Sequence, residues 1–186
     1  MSNFTINKNT AFSMVMAICI YAILDRIIPP SVKPVFDLVM SKNATGITDI
    51  RQQRDIQLVK KISVDRIDLA DKSRFRHAKI GDIGFGNDFF VDITSSFTVK
   101  QAGEYIFYLG SDDGFIFAID GKELCSWAND RPLSKTPCKM NLNVGEHTFV
   151  LNYFQGYGNA GLIMSYAYAK DGEQYIAGTN SKYIEF

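Results

Sequence analysis

From Phe89 to Ala169 the chain alternates apolar and polar positions in short runs, each closed by turn residues. Tyr105, Phe107 and Leu109 share one face of a run, and Phe115, Phe117 and Ile119 share one face of the next. Phe89, Val91 and Ile93 repeat the pattern upstream. His147–Phe154 (HTFVLNYF) and Leu162–Ala169 (LIMSYAYA) read as strands downstream. Period-two alternation rich in aromatic and β-branched residues predicts strands. Lys100–Glu104, Gly145-Glu146, the glycine-rich stretch QGYGNAG from Gln155 and Lys170-Asp171-Gly172 supply the turns, and the chain trails off from Tyr175. Ile56, Leu58, Ile62 and Val64 share a parity and predict one more strand over Asp55–Val64. Many short strands divided by turn signals make the fold class all-β, a sandwich or barrel.

The N-terminal residues follow another pattern. Ala11–Leu24 (AFSMVMAICIYAIL) is an uncharged apolar run, interrupted by Asp25-Arg26 and ended by Pro29-Pro30, which stops a helix. A bilayer span needs about 20 apolar residues, roughly 17 at the least. This run reaches that only if the Asp25-Arg26 pair snorkels to the interface. It reads as an uncleaved membrane anchor, as a signal-peptide core, or as a helix packed in an assembly. No small-residue cleavage pattern follows it, which favours the uncleaved signal anchor. On that reading residues 11–28 meet a membrane or helix-packing partners, and the C-terminal part lies outside the cytoplasm, in a periplasm or at a cell surface. Val32–Met40 has apolar residues at helical spacing and predicts a short surface helix, with Ser41–Gly46 as a linker. The expected division is residues 1–46 as anchor helix, short helix and linker, and residues 47–186 as a β-domain.

Charge changes little in this picture. Lys plus Arg equals Asp plus Glu, 20 each, and no half of the chain forms a basic nucleic-acid footprint. His77 reads as a solvated loop residue and His147 as a half-exposed packing residue at a strand start. Neither has a partner in sequence for catalysis. Gly81–Gly86 (GDIGFG) lacks the Lys-Ser/Thr ending of a phosphate loop. Of the three cysteines, Cys19 lies in the apolar run. Cys125 and Cys138 bracket a loop-like segment and are either bridged or two unrelated thiols. A bridge would add on the order of 3 kcal/mol and point to an oxidising compartment.

One short sequence carries candidate chemistry. Ser111-Asp112-Asp113-Gly114 joins two predicted strands. Adjacent carboxylates repel, so either the turn is solvated, as Asp and Gly favour, or a hard cation with oxygen ligands offsets them.

These features occur in a distinctive order: an aromatic strand and SDDG, a strand ending Ile119-Asp120-Gly121-Lys122, then Trp127, then Gly145-Glu146-His147, an aromatic strand with Tyr153, and a glycine loop closing on Ala160-Gly161-Leu162. From about Asp55 to Ala169 the chain resembles the protective-antigen-fourteen (PA14) domain, an antiparallel β-sandwich module of toxins, glycosidases and adhesins. In the lectin branch of that family, two consecutive aspartates joined by a cis peptide bind calcium (Ca2+), together with an amide side chain and loop carbonyls. The resemblance implies that Asp112, Asp113 and Gln155 hold the ion, with Tyr157 and Asn159 completing the set through backbone carbonyls. It implies that sugar hydroxyls take the remaining positions. The chemistry is compatible, since calcium accepts 6–8 oxygens in loose geometry.

Selectivity is expected in the loops Ser126–Pro137 and Gly156–Asn159, with Trp127, Gly156, Tyr157, Gly158 and Asn159 as ligand-binding residues. Trp127 is equally readable as a core residue under its loop. The expected function is a calcium-dependent carbohydrate-binding module of adhesin or lectin type, not an enzyme, anchored at a membrane or surface assembly. The alternative is a structural protein–protein interaction subunit of an envelope or pilus-like complex. A third reading, an accessory domain of an enzyme, needs a catalytic partner on another chain.

Overall fold

Asn7 starts the first element. Its side chain accepts a hydrogen bond from the Thr10 N–H at 2.8 Å, an N-cap for helix α1 (Lys8–Ile27). The structure, a computed structural model, describes residues 7–27 and 32–186; Ile28 and the Pro29-Pro30 stop lie outside the described residues, as do the side chains of 24–27. Phe12, Val15, Ile18 and Tyr21 of α1 are exposed. Among the described residues no helix is long and apolar enough to cross a membrane.

A separate compact unit runs from Val32 to Phe186. Its first strand is β1 (Phe36–Asn43), where the sequence pattern predicts a helix and a linker. The reason is a second periodicity in the same residues. Phe36, Leu38 and Met40 are buried on one face while Asp37 stays exposed, and Pro34 and the β-branched valines disfavour a helix. The remaining strands are β2 (Ile56–Val64), β3 (Arg76–His77), β4 (Gly81–Asp82), β5 (Phe89–Val99), β6 (Gly103–Asp112), β7 (Phe115–Ile119), β8 (Lys122–Trp127), β9 (Ser134–Leu142), β10 (Gly145–Gln155), β11 (Gly161–Tyr168), β12 (Gln174–Ile176) and β13 (Ile184–Glu185). Every pairing among them is antiparallel.

One sheet has the order β2-β1-β5-β10-β7-β8, with β13 also on β5; the other has the order β12-β11-β6-β9. The alternation read from the sequence sets their inner faces. Phe89, Val91, Ile93, Phe115, Phe117, Phe149, Leu151 and Tyr153 of the first sheet meet Tyr105, Phe107, Leu109, Leu162, Met164 and Tyr166 of the second. Phe107 and Phe117 pack with ring centroids 5.4 Å apart. Burying each such ring stabilises the fold by roughly 1.5–3 kcal/mol. A smaller cluster of Ile47, Ile50, Phe90 and Phe154 lies apart from this core. The C-terminal residues do not trail off: they return as β12 and β13, and Phe186 packs against the main core.

The sandwich is stapled at one edge. Cys125 of β8 and Cys138 of β9 form a disulfide between the two sheets, with Cα atoms 5.9 Å apart. The connecting loop covers only residues 128–133, because Ser134–Pro137 belong to β9.

His77 is buried rather than solvated. Its Nε2 lies 2.8 Å from the Asp65 carboxylate, which also accepts a hydrogen bond from Lys79 Nζ at 2.7 Å. Burial alone would raise the Asp65 pKa, but Lys79, His77 and Arg66 outweigh it and hold this carboxyl well below the usual range. A depressed carboxylate contributes stability above its unfolded pKa, near 3.8, and loses it as pH falls through the folded value. Asp65→Asn should therefore lower the denaturation midpoint at pH 7 by roughly 1 kcal/mol equivalent. The gap to the unsubstituted chain should narrow steadily below about pH 4. Urea titrations at pH 7 and pH 3 check this, and a gap that widened in acid would contradict it.

Candidate functional site

Strands β6 and β7 lie in different sheets, so the expected turn at Ser111–Gly114 is a passage from one sheet to the other. Asp112 and Asp113 stand at that crossing, joined by a cis peptide bond. Gly114 makes the crossing possible. A Cβ there would fall 2.7 and 2.9 Å from the carbonyl oxygens of Trp127 and Ala128. Gly156 is equally constrained, since its Cβ would lie 2.5 Å from the Ile47 carbonyl oxygen and 3.4 Å from Asp113 Oδ2. A Cβ at Gly114 would force the crossing away from the backbone after Trp127, and one at Gly156 would force the glycine loop away from Ile47 and crowd Asp113.

The two carboxylates open onto a recess of about 400 Å³, lined by Asp112, Asp113, Asp130, Arg131, Pro132, Tyr157 and Asn159. Both aspartates are largely buried. Asp113 accepts hydrogen bonds from the N–H groups of Gly156 (2.8 Å) and Arg131 (3.2 Å), and Asp112 accepts one from the Leu133 N–H (3.1 Å). Burial, then the neighbouring Asp113 carboxylate, push the Asp112 pKa up to about 6. Burial raises Asp113 too, against those N–H donors and with Asp130 adding to the rise. Among the described residues no basic side chain forms an ion pair with either carboxylate. The nearby Arg131 is engaged elsewhere. It donates to Ser111 Oγ (2.7 Å) and Thr136 Oγ1 (2.9 Å), and its guanidinium lies 5.2 Å from the ring centroids of Phe115 and Trp127.

Gln155 does not line the recess. It is fully buried, with Oε1 2.8 Å from the Tyr153 hydroxyl and Nε2 donating to the Asn159 carbonyl oxygen at 2.7 Å. The Tyr153 hydroxyl, with one proton to donate, lies within hydrogen-bond reach of the Asp112 carbonyl oxygen as well. Tyr153 and Gln155 thus form a buried strut that fixes the glycine loop against the aspartate pair. Trp127 is half-exposed at the end of β8, and so is not a core residue; Tyr157 stands in solvent at the recess rim.

The recess brings together Asp112, Asp113, Tyr157 and Asn159 of the expected set, leaves Gln155 behind them, and adds Asp130. Asp130 was missed because it lies in the loop after Trp127, with no periodicity to place it. Its one signal is that it falls in the expected selectivity loop Ser126–Pro137, which the Arg131 and Leu133 N–H groups tie to the aspartates.

Among the described residues no three His, Cys, Asp or Glu side chains converge as a metal cluster. A cation here would rest on two carboxylates completed by backbone oxygens. That donor set fits calcium, whose ligands are carboxylates and carbonyls, better than zinc, which takes nitrogen and sulfur. The observation that favours a cation is a desolvated pair whose pKa values stay raised although three backbone N–H donors, and for Asp112 the nearby Arg131 charge, act against the rise.

A family model described as the PA14 domain matches residues 60–166, which includes β6, β7, β10 and the whole recess. The chain belongs to the PA14 domain family. No curated protein matches it. Solved structures do. The PA14 domain of the antifreeze protein MpAFP is 13% identical, covering 81% of this chain and 90% of that one, with a TM-score of 0.60. A PA14 sugar-binding domain from an RTX adhesin is 16% identical, covering 78% and 95%, at a TM-score of 0.57. The A domain of epithelial adhesin 6 from Candida glabrata, solved with Galb1-3GlcNAc, is 12% identical, covering 83% and 87%, at 0.56. At these identities the likeness is one of fold.

Proposed function

We propose that this PA14 domain is a calcium-dependent carbohydrate-binding module of adhesin type. The observation that carries the reading is the pair of buried, unpaired carboxylates, Asp112 and Asp113, opening onto a solvent-accessible recess beside Tyr157 and Asn159. Two solved structures of the same fold are a sugar-binding domain from an adhesin and an adhesin domain in complex with Galb1-3GlcNAc, and this supports the ligand class. When bound, calcium supplies coordination positions for vicinal sugar hydroxyls. Asp112 and Asp113 would hold it, the backbone carbonyls of Tyr157 and Asn159 would be further oxygen donors, and Gln155 with Tyr153 holds the loop in register. Tyr157 offers an exposed aromatic face at the recess rim for a pyranose ring, and Trp127, half-exposed with Arg131 over its ring, stands outside the recess lining.

The disulfide supports a location outside the cytoplasm. We assign residues 11–28 to membrane attachment or helix packing in a surface assembly. Binding of the full chain to a glycan array, with calcium and then with chelator, tests the function. The expected result is retention of a subset of glycans that chelator abolishes. An array with no calcium-dependent signal, alongside an intact surface assembly in chelator, would replace this reading with the structural-subunit one.

A further inference from the structure

A second cavity, of about 560 Å³, adjoins the recess and shares Asn159 with it. Its other wall comes from the segment after β2 and from β4, notably Lys72, Arg74, Phe75 and Asp82. Residues 71–74 make a tight turn. Asp71 and Arg74 exchange backbone hydrogen bonds at 3.0 and 3.2 Å, and Lys72 and Ser73 both have positive φ, 51° and 62°. This is the type I′ arrangement, which reverses the chain in two residues. The turn is tied to the recess, because the Ala160 N–H donates to the Ser73 carbonyl oxygen at 3.1 Å. Lys72 and Arg74 are therefore held at a set place relative to Asn159.

The two cavities differ in charge. The recess is acidic, with Asp112, Asp113 and Asp130. At the second cavity Asp82 is shared between Arg74 (3.1 Å) and Arg76 (3.6 Å), and Arg76 also reaches Asp71 (3.3 Å). In the cavity lining Lys72 and Arg74 thus stand against Asp82 alone, and Lys72 has no ion-pair partner among the described residues. A ligand that spans both cavities presents neutral hydroxyls at one end and meets positive charge at the other.

We propose that the domain selects glycans bearing an anionic group, a carboxylate or a sulfate ester, on the unit next to the sugar held at the aspartate pair, with Lys72 and Arg74 as the specificity-determining residues. This rests on the sugar-binding reading of the recess. Charge-assisted hydrogen bonds from a lysine and an arginine recognise both groups, and at exposed side chains they are salt-sensitive.

The test is an array of matched glycans on common backbones, in neutral, uronate-bearing and sulfated forms, probed with the full chain in calcium. Acidic members should bind on the order of ten-fold more tightly than their neutral parents, with the preference shrinking at high salt. The uronate and sulfate arms separate the two anions. Lys72→Asn and Arg74→Gln together should erase the preference and leave neutral binding intact. Lys72→Asn alone should cut the preference roughly three-fold, since asparagine tolerates the left-handed backbone and keeps the turn. Calcium-dependent binding of neutral members with no gain for acidic ones would overturn this inference and leave the sugar reading standing. So would a preference that survives both substitutions. Binding of no member would remove both.

Discussion

Replacing Asp113 by alanine should abolish the rise in melting temperature that calcium gives the unsubstituted chain. A ligand at 100 times its Kd stabilises the folded state by about 2.7 kcal/mol. For a domain of this size that is roughly 5–10 °C. The two carboxylates hold the ion together, so losing one should cost most of the increment. Asp112→Asn separates charge from geometry. The asparagine oxygen still accepts from the Leu133 N–H, so the metal-free fold keeps that contact. It loses the repulsion between neighbouring desolvated carboxylates, whose pKa values are both raised. A raised carboxylate favours the fold below its unfolded pKa and opposes it once pH passes the folded value. At pH 7 the metal-free Asp112→Asn chain should then melt no lower than the unsubstituted one, while gaining nothing from calcium. If both variants keep the full calcium increment, the ion binds somewhere else. If calcium never raises the melting temperature of the unsubstituted chain, the site does not exist.

Loss of the Cys125–Cys138 bridge should have the second large effect. The cysteines are 13 residues apart and join the edge strands of opposite sheets. A bridge closing a loop of about this length contributes on the order of 3 kcal/mol. Urea denaturation of the Cys125→Ala, Cys138→Ala double variant, or of the reduced chain, should show a loss of that size with native strand content retained below the transition. The loop it closes carries Asp130 and the Arg131 and Leu133 N–H donors to the aspartates. Calcium affinity should fall alongside stability. Equal midpoints before and after reduction would show that the bridge adds nothing to the fold.

Much of this was legible in the sequence where one periodicity ruled. Phe115, Phe117 and Ile119 could bury only one face of a strand, and they do. The misreadings came where two patterns competed or where partners lie far apart in sequence. Phe36, Leu38 and Met40 satisfy a period of two, yet the surrounding valines also fall at helical spacing, and tertiary pairing with β2 and β5 decides the matter. His77 looked solvated among charged neighbours because its partner, Asp65, is twelve residues upstream. At the site, the aspartate pair and the glycine loop were legible from the resemblance. The support role of Gln155 was not, because the atoms it touches, the Tyr153 hydroxyl and the Asn159 carbonyl, are fixed by the close approach of loop and crossing. Nor was the basic turn at Lys72, whose docking on Ala160 is a backbone contact that side-chain patterns do not encode.

The most direct test is a crystal structure of the chain grown with calcium and a glycan from the array. One ion is expected in the recess, within coordination distance of the Asp112 and Asp113 carboxylates and of two sugar hydroxyl oxygens. A sugar seated elsewhere, with only water against those carboxylates, would contradict it.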